Sequence, residues 1–268
     1  MKIGVFDSGL GGLMIARAIH DHLPDYDLVY LGDTLHLPYG RRSKETVYRL
    51  TKQAVTYLFE AQNCQIVILA CNTASASALR RLQQTWLAET YPDRRVLGVV
   101  VPTLEKAIAL GHTRIGLIAT ENTVQSGVYE EELHKINPDI KLEASATPLL
   151  VPMIENGGLK YVRPVLEDYL APLKDKKVES LILGCTHYCR LSEEIKDIMG
   201  AGVELISQAE ITPPSLADYL HRHPEHNDKL SKRGQVDFLV TDLTDGYAQS
   251  ANSAFGRPAD LQLVSYNI

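Results

Sequence analysis

The sequence predicts an α/β protein with two similar doubly wound parallel-sheet lobes and a crevice between them. Three observations predict this class: short apolar segments recur along the chain, helical patterns separate several of them, and the order of elements repeats once. Alternation of strands and helices is typical of a doubly wound parallel sheet. In such sheets, ligands bind beyond the carboxyl ends of the strands.

The apolar segments are rich in Val, Ile and Leu, and most of them lack polar alternation. Strands that are buried on both faces of a parallel sheet have this composition. Apolar residues at helical spacing lie between several of these segments and predict helices at 13–23 and 44–62. We predict strands at 2–6, 27–31, 65–69, 95–101, 114–119, 179–184 and 236–240.

The repeat appears in two pairs of heptapeptides. KIGVFDS starts at Lys2 and RIGLIAT at Arg114, an offset of 112, whereas VILACNT starts at Val67 and LILGCTH at Leu181, an offset of 114. The order of strand, polar loop, helix, strand and cysteine therefore occurs twice at nearly equal spacing. We predict a first lobe of residues 1–97 plus 209–268 and a second lobe of residues 98–208, each placing one cysteine at a strand end.

Composition excludes several classes of protein. The formal net charge is −6, which gives no basic footprint for nucleic acid. No apolar segment is long enough to span a membrane, and the opening MKIGVFDSG lacks the layout of a signal peptide. Four cysteines in 268 residues do not resemble a secreted disulfide framework. We expect a reduced, cytoplasmic protein that binds neither nucleic acid nor membrane.

A thiol stands where a predicted strand meets a predicted helix. Cys71 follows IVILA and precedes NTASASALRRL, so that Asn72 or Thr73 can cap the helix. The positive end of a helix lowers the pKa of a thiol from about 8.5 and favours the thiolate. Cys185 repeats the arrangement after LILG. A free cysteine is often a small buried hydrophobe, but two at matching positions favour a functional role for both.

Metal binding is the other chemistry that these cysteines could support. Cys185, His187 and Cys189 are soft ligands at two-residue steps, and six residues separate Cys64 from Cys71. Structural zinc prefers ligand pairs separated by two to four residues. Cys64 also precedes its predicted strand, whereas Cys71 follows it. We therefore expect no metal site and interpret Cys64 and Cys189 as structural residues.

Two further polar loops follow predicted strands. The glycines of DSGLGG, at 7–12, permit close backbone approach to a ligand, and the following helix offers N–H groups to an anion. The loop is not a nucleotide signature, since the third glycine of GxGxxG would fall at Met14. Asp7 ends its strand, and we expect its carboxylate to point into the crevice. The third loop, LGDTLHLPYG, spans 31–40.

These motifs together resemble those of the glutamate racemase family. FDSGLGGL, GDTLHLPYG, ACNTASA, VPMIE and LGCTHY occur in that family's order and spacing, and the resemblance covers nearly the whole chain. The departures are small: Leu37 replaces a small residue or cysteine, Cys189 replaces a proline, and Ala119 replaces a glycine. None of them touches the two thiols.

The resemblance implies a cofactor-independent racemase that interconverts L- and D-glutamate in the crevice between the lobes. Cys71 and Cys185 would be the two acid/base residues. Asp7 would assist Cys71 or hold the substrate ammonium, and His187 would assist Cys185 with help from Glu155. The implied substrate-binding residues are Asp7, Ser8, Tyr39, Gly40, Asn72, Thr73, Thr120, Thr123, Thr186 and His187.

The same resemblance implies a homodimer that supplies D-glutamate for peptidoglycan, and thereby for cell-wall biogenesis and cell shape. Some family members carry an N-terminal extension that is tied to activation by a peptidoglycan precursor. This sequence starts directly at its first predicted strand, so we do not expect that mode of regulation. Two alternatives stay open: a racemase of aspartate or another amino acid, and a non-catalytic amino-acid-binding protein.

Overall fold

The chain folds into two parallel sheets that are covered by helices, which confirms the predicted fold class. The computed structural model describes residues 1–266. The first sheet has the strand order β10-β9-β2-β1-β3-β4 and the second the order β6-β5-β7-β8. The strands are β1 Lys2–Asp7, β2 Leu28–Gly32, β3 Cys64–Leu69, β4 Arg95–Gly98, β5 Arg114–Ala119, β6 Lys141–Ala146, β7 Ser180–Gly184, β8 Glu204–Ile206, β9 Val236–Val240 and β10 Leu261–Leu263.

Helices connect these strands and cover both faces of each sheet. They are α1 Leu13–His22, α2 Lys44–Glu60, α3 Asn72–Arg81, α4 Ala88–Thr90, α5 Val100–Ala109, α6 Glu121–Gln125, α7 Val128–Ile136, α8 Leu150–Glu155, α9 Val162–Asp175, α10 Ser192–Met199, α11 Gln208–Arg222, α12 Pro224–Asn227 and α13 Asp245–Phe255. Short 3₁₀ turns at Thr34–His36, Tyr39–Arg41, Gly158–Tyr161 and Thr186–Leu191, with a π-helical stretch at Leu82–Leu87, complete the elements.

The internal repeat is present in the topology. In the first sheet β1 lies between β2 and β3, and in the second sheet β5 lies between β6 and β7. The segments β2-β1-β3-β4 and β6-β5-β7-β8 therefore follow the same order. The six strands of the first sheet lie within 1–97 and 209–268, except that β4 extends one residue beyond 97. The four strands of the second sheet lie within 98–208. The lobe boundaries themselves stay a prediction.

Alternate residues of a strand enter different cores, as expected for a sheet covered on both faces. Ile3 and Val5 of β1 pack in a core with α1 and α11, whereas Phe6 packs in a core with α2 and α3. All three side chains are fully buried. This double burial explains why the strands are continuous apolar segments rather than alternating ones.

Sequence patterns missed three strands and misassigned the end of one. β6, β8 and β10 lie at or near sheet edges, are short or half-exposed, and lack an apolar segment. The strand predicted at 95–101 is wrong beyond Gly98, because α5 starts at Val100. Pro102 falls in the first turn of this helix, where a missing backbone N–H costs nothing.

Gly184, the residue before Cys185, is tightly packed in the second sheet. A Cβ atom there would lie 2.9 Å from the Ile118 carbonyl oxygen and 2.7 Å from Leu117 Cδ1. Gly184→Ala should therefore lower the free energy of unfolding by about 1–3 kcal/mol, the usual cost of overpacking. Gly202→Ala is the control, since a Cβ there meets nothing within 4 Å. Urea unfolding that ranks both variants equally would contradict this packing.

Candidate active site

Cys71 lies at the carboxyl end of β3 and is itself the N-cap residue of α3. The backbone N–H of Ala74 donates to its sulfur at 3.5 Å. The expectation that Asn72 or Thr73 caps this helix is therefore wrong. Both residues already have helical geometry, and the chain is still extended at Cys71. The first turn of the helix thus holds the thiol in place.

Cys185 occupies the equivalent position after β7 but has different local bonding. It precedes the 3₁₀ turn Thr186–Leu191 and makes no capping bond, and the α-helix starts only at Ser192. Its sulfur instead lies 3.6 Å from His187 Nδ1. The two cysteines thus match in topology, while their neighbouring groups differ.

Both thiols line a single cavity at the carboxyl ends of the strands. Each is buried, with Cys71 6% and Cys185 9% exposed. The cavity is also lined by eight other residues that the sequence singled out, namely Ser8, Tyr39, Gly40, Asn72, Thr73, Thr120, Thr186 and His187. Asp7, Thr123 and Glu155 lie behind this lining and contact it.

Asp7 ends β1 and is completely buried beneath the glycine loop. Its carboxylate accepts hydrogen bonds from the Gly9 N–H at 3.1 Å and the Thr186 hydroxyl at 3.4 Å. A Cβ atom at Gly12 would lie 2.5 Å from Asp7 Cβ, and one at Gly11 would lie 2.4 Å from Thr186 Oγ1. The loop expected to bind an external anion is thus packed against the chain's own carboxylate.

Burial controls the ionisation of the first thiol. Removal from water, together with the nearby negative charge of Asp7, raises the pKa of Cys71 to about 12. The expectation of a lowered pKa is therefore wrong for this cysteine. A helix N-terminus contributes about 1 kcal/mol, which is less than the desolvation of a fully buried thiolate. Burial raises the pKa of Asp7 as well.

The second thiol has an imidazole as its partner. His187 Nε2 lies 3.0 Å from Glu155 Oε1, and Nδ1 faces the Cys185 sulfur. Burial alone would lower the pKa of His187, but its hydrogen bonds to Cys185 and Glu155 outweigh burial and raise the pKa well above its usual range. A protonated imidazole here would stabilise negative charge on the Cys185 sulfur.

Three threonine hydroxyls meet where the two lobes face each other. Thr73 Oγ1 lies 2.9 Å from Thr120 Oγ1 and 3.2 Å from Thr123 Oγ1, and the last two are 3.0 Å apart. On the same side, a Cβ atom at Gly40 would lie 2.8 Å from Thr120 Cβ. These hydroxyls can donate to an anionic ligand without placing a fixed positive charge beside it.

Sequence reasoning missed the residues that support the lining. Asp33 accepts a hydrogen bond from the Tyr39 hydroxyl at 2.6 Å and so fixes the loop that carries Gly40. Asn72 Oδ1 accepts from the hydroxyl of Tyr129 at 2.5 Å and from Gln208 Nε2 at 3.2 Å. Thr147 also lines the cavity, and it directly follows β6, an edge strand that the sequence pattern did not predict.

The cysteines interpreted as structural lie outside the cavity lining. Cys64 starts β3, at the opposite end of the strand from Cys71. The Cys189 thiol donates to the Thr186 carbonyl oxygen at 2.8 Å. Within residues 1–266, no three or more His, Cys, Asp or Glu side chains cluster as metal ligands would. In the same range, no helix has the length and apolarity to cross a bilayer.

Fold and site together define a two-lobed α/β protein with one buried thiol from each lobe in a shared crevice. Residues 13–212 match the model of the Asp/Glu/hydantoin racemase family, and the chain belongs to that family. It is 39% identical to the glutamate racemase of Dinoroseobacter shibae, over 98% of this chain and 99% of that one.

Solved structures agree with this assignment. Glutamate racemase isoform RacE1 from Bacillus anthracis superposes with a TM-score of 0.89 at 33% identity, covering 98% of this chain and 97% of that one. The glutamate racemase from Francisella tularensis, solved in complex with D-glutamate, gives a TM-score of 0.88 at 32% identity with the same coverage. The predicted family resemblance is confirmed.

The contribution of Asp7 to the Cys71 pKa can be measured by alkylation. Asp7→Asn removes a negative charge beside the thiol, so the pKa of Cys71 should fall and iodoacetamide should label it faster at pH 8. Each unit of decrease raises the thiolate fraction about tenfold. Peptide mapping by mass spectrometry measures the rate for Cys71 alone.

Asp237→Asn serves as the control for this measurement. This carboxylate pairs with Lys2 near the amino ends of the strands, away from the cavity. An Asp7→Asn rate equal to that of the wild type would show that the Asp7 carboxylate carries no charge in the folded protein.

Proposed function

We propose that this chain interconverts L- and D-glutamate without a cofactor, with Cys71 and Cys185 as the two acid/base residues. The observation that supports this most directly is the pair of buried thiols at equivalent strand ends in one cavity. Relatives of nearly full coverage are glutamate racemases. A protein that only bound an amino acid would have no use for two matched thiols.

The proposed chemistry needs one base and one acid on opposite faces of the substrate Cα. A thiolate removes the α-proton, so that the C–H bond breaks, an S–H bond forms and the electron pair stays on Cα. The opposite thiol then donates its proton to the other face and becomes the thiolate. The reverse reaction exchanges the two roles, so both directions use the same pair of residues.

The surroundings of the two sulfurs would adapt each to its half of the reaction. His187 and Glu155 lie beside Cys185, whereas Ser8 and Asp7 lie beside Cys71, where the thiol donates to Ser8 Oγ at 3.5 Å. We propose that His187 assists Cys185, and that Asp7 assists Cys71 or holds the substrate ammonium. Exclusion of water would strengthen the interactions that stabilise the carbanion.

Other residues of the cavity lining, with Thr123 behind it, would bind the two substrate carboxylates. The cavity offers hydroxyl, amide and backbone donors, and we propose Ser8, Tyr39, Gly40, Asn72, Thr73, Thr120, Thr123 and Thr186 as the binding set. We further propose that the chain acts as a cytoplasmic homodimer whose D-glutamate is used for peptidoglycan. The division into lobes at 97 and 208 belongs to the same proposal.

Circular dichroism of L-glutamate with the purified protein and no added cofactor tests this function. The signal should decay to zero as the enantiomers equilibrate. The kcat/KM for glutamine should be roughly 5- to 150-fold lower than that for glutamate. The side-chain amide of glutamine would leave unpaired some donors that are arranged for the side-chain carboxylate of glutamate. Faster turnover of aspartate than of glutamate would instead support the alternative substrate.

The two cysteines can be separated by mutation. Cys71→Ala and Cys185→Ala should each lower the racemisation rate by roughly 10²-fold or more, since each removes one acid/base group. Cys64→Ala is the matched control, because that thiol is buried at the far end of β3. It should retain the wild-type rate.

The surviving thiol of each variant should still remove a proton from its own enantiomer. With 3-chloroglutamate this step releases chloride as the Cα–Cβ double bond forms, so no second thiol is needed. Cys71→Ala and Cys185→Ala should therefore prefer opposite enantiomers of 3-chloroglutamate. A shared preference, or wild-type racemisation by either variant, would rule out the two-thiol mechanism.

A further inference from the structure

The side-chain amide of Asn72 is held by two donors that lie outside the cavity. The Tyr129 hydroxyl donates to Asn72 Oδ1 at 2.5 Å, and Gln208 Nε2 donates to the same oxygen at 3.2 Å. Both donor residues are buried, Tyr129 in α7 and Gln208 at the start of α11. Asn72 lines the cavity, whereas neither donor does.

The other half of the amide has no partner in the described chain. Asn72 Nδ2 is buried, and no protein atom of residues 1–266 accepts a hydrogen bond from it. Oδ1 is bound by two residues that do not line the cavity, so the NH₂ group is the part of the amide that stays available to a ligand there. A buried donor without a partner is unfavourable, so this geometry is suited to a ligand that brings an acceptor.

We propose that Tyr129 and Gln208 are positioning residues that hold the Asn72 amide with its NH₂ group towards a substrate carboxylate. This inference rests on the proposed function, in which Asn72 binds the substrate. The two ends of an asparagine amide have nearly the same shape. A flipped amide would present an oxygen to the carboxylate and repel it. Gln208 places the NH₂ end of its own amide against Asn72, and because this end can only donate, it matches the orientation in which Asn72 Oδ1 accepts.

The arrangement also joins the two halves of the fold. Asn72 follows β3 of the six-stranded sheet, whereas Tyr129 lies between β5 and β6 of the four-stranded sheet. The amide is therefore oriented by a residue from the opposite sheet. Tyr129 and Gln208 act through Asn72 and do not line the site themselves.

Tyr129→Phe removes the hydroxyl and keeps the buried ring. Loss of one hydrogen bond that fixes a binding group should raise KM for both enantiomers by roughly 3- to 10-fold. The kcat should stay near the wild-type value, because an interaction made equally in the ground state and transition state contributes only to KM. Gln208→Ala should change KM in the same direction.

A double-mutant cycle distinguishes positioning from general destabilisation. If Tyr129 acts through the Asn72 amide, Tyr129→Phe should leave KM unchanged in an Asn72→Ala background. Tyr26→Phe is the matched control, because it also removes a tyrosine hydroxyl that donates to an asparagine Oδ1, that of Asn227 at 2.8 Å, far from the cavity. It should not alter KM in either background.

Each outcome decides the inference. An unchanged KM for both Tyr129→Phe and Gln208→Ala, with Asn72→Ala impaired, overturns the positioning role and leaves the proposed racemase intact. Equal effects of Tyr129→Phe with and without the Asn72 side chain also overturn it. If Asn72→Ala leaves KM unchanged, the inference fails and the proposed racemase stands. If the wild type does not racemise glutamate, both proposals fail. If Tyr129→Phe does not fold, Gln208→Ala enters the same cycle in its place.

Discussion

The parallel pairing of β1 with β3, and of β5 with β7, is the constraint on which the whole site depends. Phe6 pairs with Leu69 in the first sheet, and Ala119 pairs with Gly184 in the second. This register brings the loops after neighbouring strands to the same edge of each sheet. Asp7 therefore comes close to Cys71, and Thr120 lies on the same sheet edge as Cys185. Because the two edges face each other, the loops that follow all four of these strands contribute to one cavity.

Burial of this edge has two opposing effects on the proposed chemistry. It raises the pKa of Cys71 to about 12 and thus disfavours the resting thiolate. It also makes that thiolate a stronger base once formed, which suits the removal of a weakly acidic α-proton. The imidazole of His187 gives the opposite sulfur a partner that can carry positive charge. The two sites are thus equivalent in topology, but the groups beside their sulfurs differ in charge.

Several contacts across the crevice are hydrogen bonds between polar side chains, whereas the cores on either side of it are apolar. The threonine hydroxyls, the Thr186–Asp7 hydrogen bond and the Tyr129–Asn72 hydrogen bond all join one lobe to the other. Polar contacts of this kind place hydrogen-bonding groups at the edge of the cavity. The positions of the binding groups therefore depend on how the lobes meet and not on either sheet alone.

The sequence by itself determined the fold class, the repeated order of elements and the positions of both cysteines at strand ends. These features follow from local patterns, namely buried apolar strands, helical periodicity and residues adjacent in the chain. Edge strands such as β6 escaped notice, because a half-exposed strand has no continuous apolar segment.

Only the tertiary structure decided what surrounds each side chain. The raised pKa of Cys71 depends on burial and on Asp7, which is 64 positions away in the sequence but adjacent in space. The same is true of Tyr129 and Gln208, whose donors reach Asn72 from distant elements. Desolvation and hydrogen bonding depend on three-dimensional neighbours, and local sequence patterns do not encode those neighbours.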